Sequence, residues 1–458
     1  MNNIRNFENF NNQDIFTYIE KNDIQSVKNY IDSGYDLNIK DEYGDTVLIR
    51  VVINDKIEIV KLLLNAGVDL NKQNEYGDTV LIKAAFYNRI EIVKLLLNSG
   101  VDIDKENRYG ETALFGAIVC DSFEIVKLLL KSGVDIEKQD NNGYTPLIMA
   151  CKKGDFKIVE LLLNAGANPN KQKNGDHTAL FFAMFKKNID IIKLLLKNGA
   201  DVDKQNRNGE TVLIYAAKIP GGIEIVKILL NAGANPNKQD INGKTAIIFA
   251  IRDNNIKMVE LLLNAGTNPN KQDNSGDTAL IYAIYKNNIE IVKLLLNAGA
   301  NPNKQNNNGD FALISAAYVG GAKMLELLLN AGADIDMKDF NGNTSLIRAT
   351  YNNNIEIVKL LLNAGADIDN QNNDGYTALI YAAYKNNKEI IELLLDYGAD
   401  EFILDNNDKS FYYLLNTENK EYFTQNYPTS VYNAISHNYK KSFTEFVKDF
   451  NVKIKNNK

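Results

Sequence analysis

The chain repeats itself every thirty-three residues, and a fixed period constrains a fold more tightly than any local propensity. The string NIEIVKLLLNAGA occupies residues 288–300 and returns letter for letter at 354–366, two periods on. A glycine motif recurs as Gly44, Gly77, Gly110 and Gly143, then, after an irregularity, as Gly209, Gly243, Gly276, Gly309, Gly342 and Gly375. A threonine two residues later keeps the same beat from Thr46 to Thr377, with Phe311 replacing it once. A second glycine closes each unit, from Gly67 to Gly398. Eleven units are thereby delimited over residues 41–404.

Read alone, the repeated string is ambiguous, because Ile289, Ile291 and Val292 favour strands while the leucines that follow suit either state. The period resolves it. In the tract Asp273 to Thr278, Gly276 is placed to take positive φ at a turn tip and Thr278 to cap a helix. Leu280, Ala283 and Ile284 then share one face of that helix, with small residues such as Ala283, Ala316 and Ala349 suited to a close neighbour. After a polar break (Lys286, Asn287, Asn288), Ile289, Val292, Leu295 and Leu296 form the apolar face of a second helix, with Leu294 beside it. Glu290 and Lys293 are spaced as a solvent-side pair, and Gly299 is placed to end the helix in a left-handed cap. Packing against a neighbour overrides the β-branched preference, so the string is expected to be helical.

One such pair of helices cannot bury its apolar face alone, so the units must stack. The pattern resembles the ankyrin repeat, through GYTPLIMA (Gly143 to Ala150) and IVKLLLNAGA (Ile291 to Ala300). The resemblance covers roughly four fifths of the chain at a nearly strict period. It implies an all-α solenoid of helix-turn-helix units joined by β-turn or hairpin-like loops, and a protein-binding scaffold without chemistry of its own. The chain departs from the family in one systematic way. The motif histidine is absent, its place taken by Ile49, Ile82, Phe115, Ile148, Phe181, Ile214, Ile248, Ile281, Ile314, Ile347 and Ile380, and the motif proline survives only as Pro146. An apolar ladder is expected in place of the family's hydrogen-bonded one, with burial compensating.

The flanks read as degenerate repeats, residues 1–40 as an amino-terminal cap and 405–458 as carboxy-terminal cap and tail. A separate module in residues 405–458 is the alternative. Residues 14–34 keep the two-helix rhythm, and Asp408 falls where a turn glycine is due. SVYNAISHNYKKSFTEFVKDF (430–450) suits a last helix pair and KIKNNK a frayed tail. Two interior irregularities, an early Gly175 in KNGDHT and an extra residue in IPGG (219–222), are loop changes that either drifted neutrally or mark a binding face.

Composition closes off several classes. The net charge of −7 shows no basic face, which argues against nucleic acid. Two cysteines and two histidines are too few for a disulfide framework or a zinc site. No apolar run is long enough to span a membrane, and MNNIRNFENFNNQDIF does not read as a signal peptide, so a cytoplasmic chain is expected, with signal-less secretion into a host left open. Carboxylates at the turn tips (Asp45, Asp78, Glu111, Glu210, Asp277, Asp310) read as solvated charge rather than a catalytic pair. His177 reads as a surface residue with nothing nearby to orient it, Cys151 as a buried structural thiol, and Cys120 falls in a polar break. No phosphate-binding loop is present. No catalytic residue, cofactor or metal is expected.

Two non-enzymatic classes remain: a scaffold that binds one or more proteins, and a spacer or host-directed effector array whose terminal segments make the contacts. Aligned aromatics favour the scaffold. Tyr285, Tyr318, Tyr351 and Tyr384 occupy the same slot in four consecutive units, and Tyr282 and Tyr381 stand three residues before two of them, facing the same way. In the ankyrin resemblance that side of the first helix lines the concave groove. Tyrosine is favoured in recognition surfaces, although copying during duplication would also align the rings. Tyr43, Tyr76 and Tyr109 form a counterpart at the amino-terminal turn tips. The expected particle is an elongated, curved monomer on the order of 100 Å along its contour.

Overall fold

A computed structural model of the chain describes residue 11 and residues 14–435. The stretch 436–450 of the expected last helix pair, His437 and the KIKNNK tail lie outside the described residues. Among the described residues there are 27 α-helices and no strand beyond isolated bridges such as Gln272 with Thr278. The chain divides into two units, one comprising Met1–Ala216 and Glu224–Ala234, the other Ala217–Ile223 and Asn235–Lys458.

In the first unit, short helices alternate with slightly longer ones: Val47–Ile53 with Ile57–Asn65, Val80–Phe86 with Ile90–Asn98, Ala113–Val119 with Phe123–Lys131. Asp14–Lys21 and Ile24–Asp32 precede them as a further pair. From Asp14–Lys21 to Ala179–Phe185 each first helix packs on the next, and from Ile24–Asp32 to Ile189–Lys197 each second helix packs on the next, so two rows run through these repeats. The second unit is built alike, from Ala246–Arg252 with Ile256–Asn264 to Ala378–Tyr384 with Lys388–Asp396. It then departs from the rhythm with a four-residue helix, Phe411–Leu414, followed by Thr417–Asn426 and Pro428–Ile435.

The local grammar is the expected one, with additions. Gly276 has φ 78° and Gly299 φ 84°, and Thr278 Oγ1 accepts the Ile281 N–H. Asp408 takes φ 57° where the glycine was due. The polar break divides its labour: Asn287 adopts φ 52°, a conformation asparagine tolerates, and Asn288 caps the second helix by accepting the Ile291 N–H at 2.9 Å. The apolar face of the second helix is shifted from its expected position. Ile291, Val292 and Leu295 are fully buried, whereas Ile289 and Leu296 are only half-buried. The helix packs against its own first helix and its row neighbours at once, which draws in Ile291.

All eleven substitutes for the motif histidine are buried, from Ile49 to Ile380. A polar ladder exists elsewhere. Gln272 donates from Nε2 to the Gly276 carbonyl and to the Gln305 carbonyl one unit on, each at 2.7 Å. Gln73, Gln139, Gln305 and Gln371 repeat this double bond. Each of these glutamines satisfies a carbonyl in its own turn and another in the next, whereas Lys40, Glu106 and Lys338 hold the slot in other repeats.

Candidate binding surface

The turn builds the surface first. In the second unit Asp273 Oδ1 accepts the N–H groups of Ser275 and Asp277, which holds the turn, and the Gly276 N–H returns to the Asp273 carbonyl at 2.8 Å. The helix Ala279–Tyr285 then buries Ala279, Leu280, Ile281, Ala283 and Ile284. Tyr282 and Tyr285 are left on its open side. In register on successive packed helices, Tyr285, Tyr318, Tyr351 and Tyr384 are 47, 63, 42 and 55% exposed.

Tyr282 and Tyr381 do not join it as free contact groups. Tyr282 is half-buried and donates its hydroxyl to Asp273 Oδ2 at 2.7 Å. Burial and that bond together push its pKa up. Tyr381 is wedged among Tyr376, Tyr351 and Tyr384, with ring centroids 5.3, 5.5 and 6.2 Å away, and Lys385 lies 4.1 Å from the Tyr351 ring. Tyr381 thus backs two of the exposed rings, Tyr351 and Tyr384. Tyr376 belongs to the same cluster. It occupies the slot after the turn glycine that holds a carboxylate in other units.

In the first unit Tyr43, Tyr76 and Tyr109 stand out at the turn tips, 64, 56 and 56% exposed. The tips are tied together by backbone bonds, Arg108 N–H to the Tyr76 carbonyl and Asn141 N–H to that of Tyr109. Phe86 and Phe185 are exposed at the slot that Tyr285 fills in the second unit. Their alignment with the tyrosines was legible from the period, but a search for tyrosine alone misses it.

Two readings of polar residues are overturned. Asp45, Asp78 and Glu210 are buried, not solvated. Asn74 Nδ2 donates to Asp45 Oδ1 at 2.8 Å, Asn107 to Asp78 at 2.9 Å, and Asn306 to Asp277 at 2.8 Å, so these carboxylates link successive units. The covering asparagine comes from the next unit, twenty-nine residues on, and no local reading reveals it. Likewise His177 does have an orienting partner, Asp176, at 2.9 Å from Nδ1. Its ring packs against Phe181 and Phe185, with centroids 4.8 and 5.1 Å away. The contacts come from the following helix, which folds back over the early turn.

Chemically the surface offers rings, ammonium groups and carboxylates. Cys151 is buried and burial pushes its thiol up; Cys120 is shifted the same way for the same main cause. Among the described residues, no group of three or more His, Cys, Asp or Glu side chains could hold a metal, and no helix is long and apolar enough to cross a membrane.

Comparison with curated proteins finds no match. A family model described as ankyrin repeats (3 copies) matches residues 15–107, 99–173, 165–240, 213–306, 290–372 and 313–405. Ankyrin repeats are in general protein-interaction modules and typically non-enzymatic. These overlapping matches run without a gap from residue 15 to residue 405, over the same helix pairs that carry the tyrosine column, and the chain belongs to the ankyrin-repeat family.

Proposed function

We propose that the chain is a non-enzymatic scaffold that binds a partner protein through the concave face of its array and the adjoining turn tips. The observation that carries this reading is the column Tyr285, Tyr318, Tyr351 and Tyr384, four exposed rings in register on the first helices of four consecutive repeats. Large apolar side chains on a folded surface lose water contact only when something covers them, and an ordered column supplies area at little entropic cost. Tyr381 packs against Tyr351 and Tyr384, and Tyr376 against Tyr384, which favours a preformed surface at that end of the column over one assembled on binding. Residues 41–404 form the array in this reading, and the flanking segments close its ends.

The test is a capture experiment in extract from the source organism, comparing the parent with a Tyr318→Ser/Tyr351→Ser double variant. Tyr318 is 63% exposed, and Tyr351 touches Tyr381 and Lys385 only at the surface, so helical content is expected to stay unchanged and the melting temperature to fall little while the captured partner is lost. Two central aromatic contacts at about 2 kcal/mol each correspond to roughly a thousandfold loss of affinity. A partner retained by the double variant would move the contact elsewhere, the terminal segments of a spacer array being the first place to look.

A further inference from the structure

Position 116 breaks a pattern set by the two units before it. In those units a turn-tip tyrosine is followed seven residues later by a cation on the first helix. Arg50 sits 5.0 Å from the centre of the Tyr43 ring, bonds to Asp41 and lies 3.6 Å from Asp45. Lys83 sits 6.0 Å from the Tyr76 ring and 2.7 Å from Asp78. Each unit therefore meets its own tyrosine face and its own carboxylate with its own cation. The third unit keeps the tyrosine, Tyr109, and the carboxylate, Glu111, but residue 116 is glycine.

The missing side chain leaves a space. A concavity of about 290 Å³ opens there, lined on one side by Tyr76, Ile82, Phe86 and the Lys83–Asp78 pair of the preceding repeat, and on the other by Asn107, Tyr109, Glu111, Thr112 and Gly116. Glu111 receives the Asn107 amide at 3.1 Å, and no cation reaches it among the described residues. Thr112 is fully buried, and its hydroxyl has no hydrogen-bond partner among the described residues. The floor is apolar; on the rim Lys83 is spent on Asp78 at 2.7 Å, which leaves the Tyr109 ring face and the Glu111 carboxylate without a cation of their own. That is the environment of a long side chain with a greasy stem and a charged tip.

We propose that this concavity receives one arginine or lysine side chain from a partner protein, which supplies in trans the cation that Arg50 and Lys83 supply in cis. The stem lies along Ile82 and Phe86, and the cation rests between the Tyr109 ring and the Glu111 carboxylate, where ring quadrupole and charge-assisted hydrogen bond both favour it. The inference rests on reading the chain as a binding scaffold, but it does not depend on the tyrosine column of the second unit.

The probe is a fluorescein-labelled glycine-serine nonapeptide with a single central arginine, lysine or citrulline, titrated against the full chain by fluorescence polarisation. The arginine or lysine peptide is expected to bind about tenfold more tightly than the neutral citrulline peptide. Gly116→Arg restores the internal cation and fills the space, and it is expected to abolish that preference. A Cβ at 116 meets only ordinary contacts, the nearest the Ile82 carbonyl oxygen at 3.4 Å, so this variant keeps the parent's circular dichroism and melting temperature. Glu111→Gln is expected to weaken the preference. Asn208→Arg adds the same charge at an exposed tip of another turn and leaves the preference intact. The proposal is overturned by equal binding of the citrulline peptide, by no binding of any peptide, or by a preference that survives Gly116→Arg. The Tyr318→Ser/Tyr351→Ser variant keeps peptide binding if the proposal holds, which separates its failure from failure of the tyrosine column.

Discussion

Replacing Ile281 with histidine is expected to destabilise the chain by about 1–3 kcal/mol in urea or guanidinium unfolding, the usual range for burying a poorly partnered polar group. Ile281 is buried at the middle of its row, with Ile248 and Ile314 at the same slot one unit before and after. Its N–H is already held by Thr278 Oγ1, and neither flanking isoleucine offers a side-chain polar group to an imidazole. The family's histidine succeeds as a member of a ladder of hydrogen-bonded neighbours, whereas one histidine in an apolar ladder has none. An Ile281→His variant as stable as the parent would show that the buried isoleucines contribute nothing particular to this position.

Two glycines of one unit should respond differently to the same change. Gly276 and Gly299 both have positive φ, at 78° and 84°, so alanine at either pays the left-handed strain of about 1–2 kcal/mol. A Cβ on Gly299 meets nothing within 4 Å, whereas one on Gly276 falls 2.7 Å from the Asn307 nitrogen and 2.8 Å from the Asn306 Cα. Those atoms belong to the next turn, which has to move. Overpacking of this kind adds about 1–3 kcal/mol, so Gly276→Ala is expected to cost clearly more than Gly299→Ala by denaturant midpoint. Equal costs would mean that neighbouring turns are not in tight contact.

The helices were legible because repetition supplies what local propensity lacks. Ile289 to Leu296 is helical although three of its residues favour strands, and the period announces the neighbours that make this so. The caps followed from residue type alone, as at Thr278 and Gly299. What stayed hidden depended on side chains meeting across units. Asp45 and Asp78 look like surface charge until Asn74 and Asn107 are seen to cover them. Asn287 and Asn288 are the same residue type side by side, yet one supplies a backbone conformation and the other a cap. The tyrosine column was legible by position. That Tyr282 is bonded to Asp273 and Tyr381 is wedged among other rings was not, because both depend on side-chain direction.

The most direct test of the binding surface is hydroxyl-radical footprinting of tyrosine side chains, read by mass spectrometry with and without the captured partner. Tyr285, Tyr318, Tyr351 and Tyr384 are expected to react readily in the free chain and to be protected in the complex. Tyr397 and Tyr413 are comparably exposed, at 46 and 45%, and lie outside the column, so they should stay reactive in both. Protection of the four column tyrosines with these two unchanged is the predicted result; a complex in which the four react as fast as in the free chain would contradict the account.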